Sequence, residues 1–517
     1  MAINPNSDRD YINGYCLKSL QDQVRMYPQL FSGIEFDTFR HIRDLKVEFN
    51  SPITVISGSN KSGKTSILLA IACSHYNFLK RDYSNGTFKR FTWGQIMRFT
   101  NHDEQQLDWT YHVTYRIGNK SERKRGQRKY ATKKWNGVAK KESQIGTPVN
   151  GRNVGRKVYF IDLDRIIPAR KLSSATFKNA RNNNNINPLQ NIVTEYVSYI
   201  LEREYNVGLL YANADSEVFG YESAGYKYSS YNTASGEDVL TKIIEDIVNA
   251  EEGSLILIEE IEIGLHPKIQ RRLIDVIYYE SRRAHKQFIV TTHSPNVLAS
   301  VSPLSRVFIE NTNNVFRAIP KISINAALTK MDSLSYPLVD IYVEDDISKN
   351  MVQKAIESIN ENRHGFNRIV NIVIIGDADK TYNYFKTRAQ LYNKETVNTG
   401  YACVLDGDMR IQRSNNGLLK YPQEDLLFFH YSNEAPEKML LKAYLDTNPN
   451  DELLYHYNNS NPHRLFEKMK DTGVCMDQKC AFELCWNALI GTPEGQSYFS
   501  DLKNFIINSC KNFSNDL

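Results

Sequence analysis

The stretch ITVISGSNKSGKTS, residues 53–66, decides how the rest of the chain is read. Gly58, Gly63, Lys64 and Thr65 satisfy the pattern G-x-x-x-x-G-K-[ST]. An apolar run (Ile53, Val55, Ile56) leads in and a helix-prone run from Ile67 to Ala72 leads out, which is the strand–loop–helix context the pattern needs. Gly58, Ser59, Asn60, Lys61, Ser62, Gly63, Lys64, Thr65 and Ser66 are therefore expected to wrap phosphates with backbone N–H groups at a helix N-terminus. Lys64 is expected to reach the β- and γ-phosphates, with the Thr65 hydroxyl on Mg²⁺. The reading is a nucleoside triphosphate site.

Around this loop lie 517 residues of ordinary globular composition, 41% hydrophobic and 24% charged, a length that suggests two to four domains. A net charge of +5 is mild, so a nucleic-acid surface has to be local. Seven scattered cysteines, no signal peptide and no long apolar run point to a reduced, cytoplasmic protein with no membrane partner. Cys475, Cys480 and Cys485 lack the close ligand pairs of a zinc site and read as buried thiols.

Residues 1–30 are polar and read as an irregular, frayed N-terminal extension. The alternation in GIEFDTFRHIRDLKVEF (33–49) predicts a β-hairpin, and YHVTYRI (111–117) a further strand. Gln95 is a candidate for a glutamine that senses the γ-phosphate through metal, a plain surface glutamine being the other reading. NKSERKRGQRKYATKK (119–134) holds eight Lys/Arg against one Glu and predicts a basic ribbon projecting from the head, a candidate DNA-backbone contact. A strand is expected at 157–161, a loop at NARNNNNINP (179–188) and an amphipathic helix over 189–205, inside a helical, dimerising insert at about 170–215. No heptad array long enough for a coiled-coil arm is present.

Downstream, Ala234-Ser235-Gly236-Glu237 opens a predicted helix, with small residues suited to an anion. The run Leu255–Ile258 predicts a buried parallel strand ending in Glu259 and Glu260, where one carboxylate can take Mg²⁺ and the next can polarise water. Gly264-Leu265-His266-Pro267, a helix over 268–283, a strand over 287–291 and Thr292-His293-Ser294-Pro295 follow.

These segments resemble the ATP-binding-cassette ATPases, whose heads begin with strand, strand and phosphate loop. Among them, YSSYNTASGE, LILIEEIEIGLHP and TTHSP are similar to the heads of OLD (overcoming lysogenization defect) nucleases, over about residues 30–310. The resemblance implies ATP and Mg²⁺ as cofactors, Glu259 as a metal contact, Glu260 as general base and His293 as the γ-phosphate switch. It also implies that Ser235, Gly236 and Glu237 complete the site of a partner head, so that the chain forms a homo-oligomer through its heads. Glu259 stands where Asp is usual, and Ala234 where many signatures have Ser, leaving Thr233 or Ser235 to supply that hydroxyl.

Beyond Pro320 the alternation restarts. Strands are predicted at 338–344, 368–376, 401–408 and 425–431 with helices between, hence a parallel sheet whose site lies at the carboxyl strand ends. Glu344, Asp406 and Asp408 fall there, and three neighbouring acids call for a divalent cation, whose common use is phosphodiester hydrolysis. The pattern resembles the Toprim domain, with its single Glu followed by Asp-x-Asp. By the same resemblance NEAPEKML (433–440) offers Glu437 as an additional ligand, with Mn²⁺ as an alternative to Mg²⁺. Asp345 and Asp346 stand where Gly is frequent and Ser348 where an acid is usual, while Asp377 and Asp379 are rival ligands at another strand end.

The expected fold class is α/β: an ABC-type P-loop ATPase head at 31–320, a Toprim-like parallel α/β domain at 335–445 and a helical C-terminal tail at 446–517. The resemblance implies an ATP-regulated, Mg²⁺-dependent DNA endonuclease acting in antiphage defence. The signature wording and PEKML lean towards the retron-associated branch, with a reverse transcriptase and its DNA–RNA product as partners. A non-cleaving ATP-dependent DNA clamp, or a repair ATPase of the RecF type, is the alternative.

Overall fold

The computed structural model describes residues 3–82, 87–97, 100, 107–148, 155–183, 186–213, 216–331, 337–362, 366–392 and 399–513. The chain forms two compact units, Met1–Met331 and Asp332–Leu517.

An eight-stranded sheet organises the first unit. Its order is Val315–Pro320, Arg306–Thr312, Ile53–Gly58, Gln287–Thr291, Leu255–Ile258, Val158–Ile161, Phe78–Asp82 and Thr87–Arg90. The six inner strands pair in parallel, and an antiparallel hairpin closes each edge. Buried on both faces, Leu255–Ile258 and Val158–Ile161 read as unbroken apolar runs rather than alternations. Ile53, Val55, Ile256 and Ile258 face one core, while Ile56, Leu255 and Leu257 face the other. The phosphate-loop strand is central, so Gly58 emerges at the carboxyl edge beside the ends of 255–258 and 287–291.

The first core is covered by the helices Ser235–Asn249 and Pro267–Ala284 and, contrary to expectation, by the N-terminal residues. Pro5–Asn13 is a helix capped by the Asn4 side chain, with Pro5 in its first turn. Ile12 and Tyr15 are buried, Arg9 pairs with Asp275 at 2.7 Å, and Arg282 with Asp8 at 3.0 Å. Few apolar residues suffice here because two ion pairs tie the polar face down.

The second core lies under a five-stranded antiparallel sheet ordered Ile42–Glu48, Gln29–Phe39, Trp109–Ile117, Lys120–Arg128 and Trp135–Gly137. The basic segment is therefore not a projecting ribbon but an integral strand. Gly126 lies against the Tyr111 ring, where an added Cβ would come within 2.3 Å of Cζ, and Trp135 stacks on Trp93 at 4.1 Å. The expected helical insert is also mixed. Ser174–Asn182 and Asn191–Leu201 are helices, but Asn206–Asn213 is a strand in a four-stranded sheet with Asn187–Pro188, Ser216–Ser223 and Tyr226–Ser229. The helix Ile324–Met331 beyond Pro320 packs in the first unit through Ala326 and Ala327.

The second unit is built on four parallel strands ordered Val370–Ile374, Val339–Val343, Gly400–Leu405 and Leu427–Phe429. Helices Asp346–Asn362 and Ala378–Leu391 connect the first three of these strands in sequence. The C-terminal helices are not a tail: Trp486, Leu489, Leu502 and Ile506 share one core with Val339, Ile341 and Val404. All seven cysteines are free; Cys485 is buried, whereas Cys475 and Cys480 are only half-buried, because they flank a helix start instead of facing its core. Among the described residues no helix is long and apolar enough to cross a membrane.

Candidate functional site

Two constellations stand at carboxyl strand ends, one in each unit. In the first, Gly58 and Gly63 have φ of 153° and 96°, and a Cβ on Gly58 would lie 2.4 Å from the Ile309 carbonyl oxygen. Only glycine fits such a turn. Helix Lys64–Cys73 starts directly behind it. The Lys64 ammonium donates to the Gly58 carbonyl at 2.8 Å and the Ser59 carbonyl at 3.1 Å, bracing the loop. Burial pulls its pKa down to about 8, against the opposing charges of Glu260 and Glu262. The Thr65 hydroxyl donates to Glu259 Oε1 at 2.5 Å. Burial raises the Glu259 carboxyl and this hydrogen bond opposes the rise; the two side chains bring together hard oxygen donors of the kind Mg²⁺ takes.

Glu260 sits at φ 43°, a left-handed position that turns the chain sharply off the strand. Arg165, almost wholly buried, donates to the Glu259 and Glu260 carbonyls at 2.8 and 2.7 Å and holds that turn. Glu262, which the motifs did not single out, clamps the next strand end: Thr292 Oγ1 donates to it at 2.7 Å and the His293 backbone N–H at 2.5 Å. Burial and the Lys64 charge hold the His293 imidazole below its ordinary pKa. A third acid spaced two residues after Glu260 was the legible signal. Replacing Glu262 with Gln leaves one acceptor where two donors arrive. ATP affinity should hold while hydrolysis falls on the order of 10-fold, as expected for losing one charge-assisted hydrogen bond. Equal turnover in wild type and Glu262→Gln would show that the clamp does not position His293.

The signature helix Ser235–Asn249 has no side-chain cap at Ala234. Gly236 packs so closely on Gly264 that a Cβ would lie 2.8 Å from the Gly264 oxygen, which joins this helix to the segment carrying Glu259 and Glu260. The Thr233 hydroxyl donates to the Glu237 carboxylate, as does Tyr205 at 2.8 Å. The Thr233 hydroxyl is thus committed to Glu237. Gln95 caps its own short helix, its Oε1 accepting from the Thr92 N–H at 2.9 Å and the Thr92 hydroxyl at 3.0 Å. That carbonyl serves as a helix cap, the plain reading of this glutamine.

In the second unit Glu344 and Asp406 end adjacent parallel strands, and the Asp406 N–H donates to Glu344 Oε1 at 2.8 Å. Burial, then repulsion by Glu344, pushes Asp406 up to about 9; burial raises Glu344 to about 7 against the Asp406 N–H it accepts from, with Asp408 and Asp345 adding to the rise. Asp408 is also raised, by burial. Asp406 Oδ1, Asp408 Oδ1 and Glu437 Oε2 are buried without a hydrogen-bond partner among the described residues. Orphaned carboxylate oxygens of this kind are costly unless a cation compensates them, so this donor set fits a hard divalent ion. Asp345 and His463 each bring a ligand atom within 4.8 Å of one on Glu437, neither of them singled out as a ligand in the sequence. His463 carries no spacing relation to the strands, so nothing in the sequence could have found it.

The rival acids are otherwise engaged. Asp377 caps helix Ala378–Leu391 and pairs with Lys380 at 2.6 Å, and Asp379 pairs with Lys420 at 2.7 Å. Both carboxyls are held below their ordinary pKa by those partners. Ser348, standing where an acid was expected, heads a buried chain: its Oγ lies 2.5 Å from His430 Nε2, and His430 Nδ1 lies 2.6 Å from the Tyr498 hydroxyl. Burial drives His430 down to about 3, so the imidazole is neutral and fixes Ser348 rather than acting as an acid.

Raised acids make the metal-free fold pH-sensitive. In the folded state Glu344 and Asp406 keep protons that the unfolded chain has already released, so stability is full below the ordinary carboxylate range and is lost as pH rises through about 7 and about 9. With chelator present, the wild-type melting temperature should drop between pH 5.5 and 8.5 more steeply than that of Asp406→Asn. Parallel curves would contradict the burial of these charges.

A protein-family model described as "AAA domain, putative AbiEii toxin, Type IV TA system" matches residues 117–299. No curated protein matches the chain. Among solved structures, the SMC head domain from Thermotoga maritima is similar at 14% identity over 56% of this chain and 98% of that one, with a TM-score of 0.35. The Smc head domain with an extended coiled coil, derived from Pyrococcus furiosus, is similar at 11% identity over 58% and 98%, TM-score 0.39. The recombination mediator RecF bound to ATPrS shows 12% identity over 56% and 98%, TM-score 0.33. The phosphate loop at the centre of the sheet, the acids at the end of Leu255–Ile258 and the matched AAA domain together support a P-loop ATPase domain in the first unit.

Proposed function

We propose that the chain is an ATP-regulated, divalent-metal-dependent DNA endonuclease. The observation that supports this reading is that Glu344 and Asp406 end adjacent parallel strands, with Asp408 two residues on, and that Asp406 Oδ1 and Asp408 Oδ1 are buried without a hydrogen-bond partner among the described residues. Glu344, Asp406 and Asp408 would hold the cation, Mg²⁺ or Mn²⁺, and the Asp406 N–H keeps Glu344 facing it. The bound ion would supply Lewis-acid activation of water and the phosphodiester. The order of these acids on the strands supports a Toprim-type domain of the kind fused to ATPase heads in the OLD nucleases.

In the first unit Lys64 and the loop Gly58–Ser66 would hold the phosphates, Thr65 and Glu259 would hold Mg²⁺, Glu260 would orient water, and His293 would face the γ-phosphate. Ser235, Gly236 and Glu237 complete the site of a second copy, so ATP joins heads. The DNA backbone would lie along strand Lys120–Arg128, where Arg123 and Arg125 are exposed, as is Lys129 just beyond it, and Arg128 lies over Trp109 at 5.2 Å. The antiphage role, and a reverse transcriptase with its DNA–RNA product as partners, follow from the similarity of YSSYNTASGE and NEAPEKML to the retron-associated branch. Plasmid cleavage by the full chain in Mg²⁺ or Mn²⁺, with and without ATP, tests the reading. No cleavage in any arm would favour a non-cleaving DNA clamp.

A further inference from the structure

The segment that leaves the acids of the second unit is an ordered element whose apolar side chains face water. The short turn Gly407–Ile411 starts directly after Asp406 and contains Asp408. Its Arg410 guanidinium donates to the Phe429 and His430 carbonyls at 3.3 and 3.0 Å, tying the segment to the end of strand Leu427–Phe429. Beyond it the chain folds back as a tight hairpin. Arg413 bridges antiparallel to Leu419, the Ser414 N–H donates to the Leu418 carbonyl at 2.8 Å, and the Lys420 N–H to the Gln412 carbonyl at 2.8 Å. Gly417 turns the tip at φ 77°, and the Arg413 guanidinium braces it by donating to the Gly417 carbonyl at 2.7 Å. On this braced hairpin Leu418 is 70% exposed, Ile411 57% and Leu419 46%. Arg410, Arg413 and Lys420 are exposed beside them, and no Asp or Glu occurs from Met409 to Gln423.

A single exposed leucine is ordinary on a protein surface, whereas three aliphatic side chains on one hydrogen-bonded hairpin mark an interaction surface. The charges say what it meets. Lys420 pairs with Asp379, but the hydrogen bonds of Arg410 and Arg413 go to backbone carbonyls, which leave both positive charges in place. An aliphatic tip flanked by cations matches a polyanion with an apolar interior, and leucine and isoleucine side chains enter DNA in this way by parting stacked bases. We propose that the hairpin Arg413–Leu419 is a wedge that enters DNA beside the phosphodiester to be cut, with Leu418 between two bases and Arg413 on a neighbouring phosphate. The inference rests on the nuclease reading and adds a substrate class to it. DNA whose stacking is already weakened, at a mismatch or a bubble, is engaged in preference to intact duplex, because the unstacking that the wedge requires is partly made. The tip is braced before DNA arrives, so little ordering cost is added on binding.

The experiment measures DNA binding by the full chain carrying Asp406→Asn, which the nuclease reading makes unable to cut, in Mg²⁺ and ATP. The probes are a fully paired duplex and the same duplex with a central mismatch, each carrying 2-aminopurine beside the centre. The mismatched duplex should bind on the order of 10-fold more tightly, with a rise in 2-aminopurine fluorescence as its base is unstacked. Adding Leu418→Ser, a change at an exposed side chain that should leave the melting temperature unchanged, should abolish the rise and most of the preference. Leu418→Met, which keeps an apolar wedge, should retain both. Unchanged preference and fluorescence in Leu418→Ser overturns the wedge and leaves the nuclease reading standing, as does no binding of either duplex while wild type still cuts plasmid. Loss of self-association in Leu418→Ser with DNA binding intact also overturns it, by giving the hairpin to a second copy of the chain. A wedge that behaves as expected in a chain whose unaltered form cuts nothing would keep the DNA surface and remove the nuclease reading.

Discussion

Asp406→Asn is expected to lower metal-dependent DNA cleavage by at least about 100-fold, the scale on which metal-holding and acid–base groups act. ATP hydrolysis should stay near wild type, because every group in the phosphate-loop constellation belongs to the other unit. The substitution keeps size and shape but removes a charge that the fold tolerates only by raising its pKa to about 9. The metal-free variant should therefore be no less stable than wild type at neutral pH, which separates lost chemistry from lost folding. Glu344→Gln should behave the same way. The control is Asp377→Ala with Asp379→Ala: both acids are satisfied by Lys380 and Lys420, so the double variant should cut normally. Normal cleavage by Asp406→Asn, with none by the double variant, would move the metal to the end of strand Val370–Ile374.

Lys64→Ala should weaken ATP binding by on the order of 100-fold or more. Two charge-assisted hydrogen bonds to phosphate contribute about 1.5–3 kcal/mol each, and each 1.4 kcal/mol is tenfold in affinity. The ammonium already makes two such contacts within the loop, to the Gly58 and Ser59 carbonyls, so a phosphate has only to replace them. Glu260→Gln supplies the contrast. Its backbone is held by Arg165 and by Thr291 Oγ1 at 2.9 Å, so the loop geometry persists, ATP binds and hydrolysis stops. Equal nucleotide affinity in wild type and Lys64→Ala, measured by calorimetry, would remove the site assignment.

Both candidate sites were legible where local pattern and strand-end placement coincide. The phosphate loop announces itself through glycines that its backbone angles require, and Glu259, Glu344 and Asp406 through apolar strands that end in acids. What escaped the sequence depends on tertiary contact. The helix Pro5–Asn13 looks too polar to pack until Asp275 and Arg282 are seen to pair with it. The basic strand looks like a projecting ribbon until Gly126 is seen to be the notch that admits Tyr111. Asp345 looked like a departure from a family pattern, and His463 gave no signal; only the folded chain brings them to Glu437. Helical periodicity in 189–205 located Asn191–Leu201 but gave no warning that the chain turns to sheet at Asn206.

The most direct test of the central claim is conversion of supercoiled plasmid by the purified full chain in Mg²⁺ and in Mn²⁺, with ATP and without, alongside Asp406→Asn. The account predicts metal-dependent nicking or linearisation by wild type, a rate that changes with ATP, and no cleavage by the variant in either metal. Cleavage that persists in Asp406→Asn, or wild type that hydrolyses ATP yet leaves every plasmid intact in both metals, would contradict it.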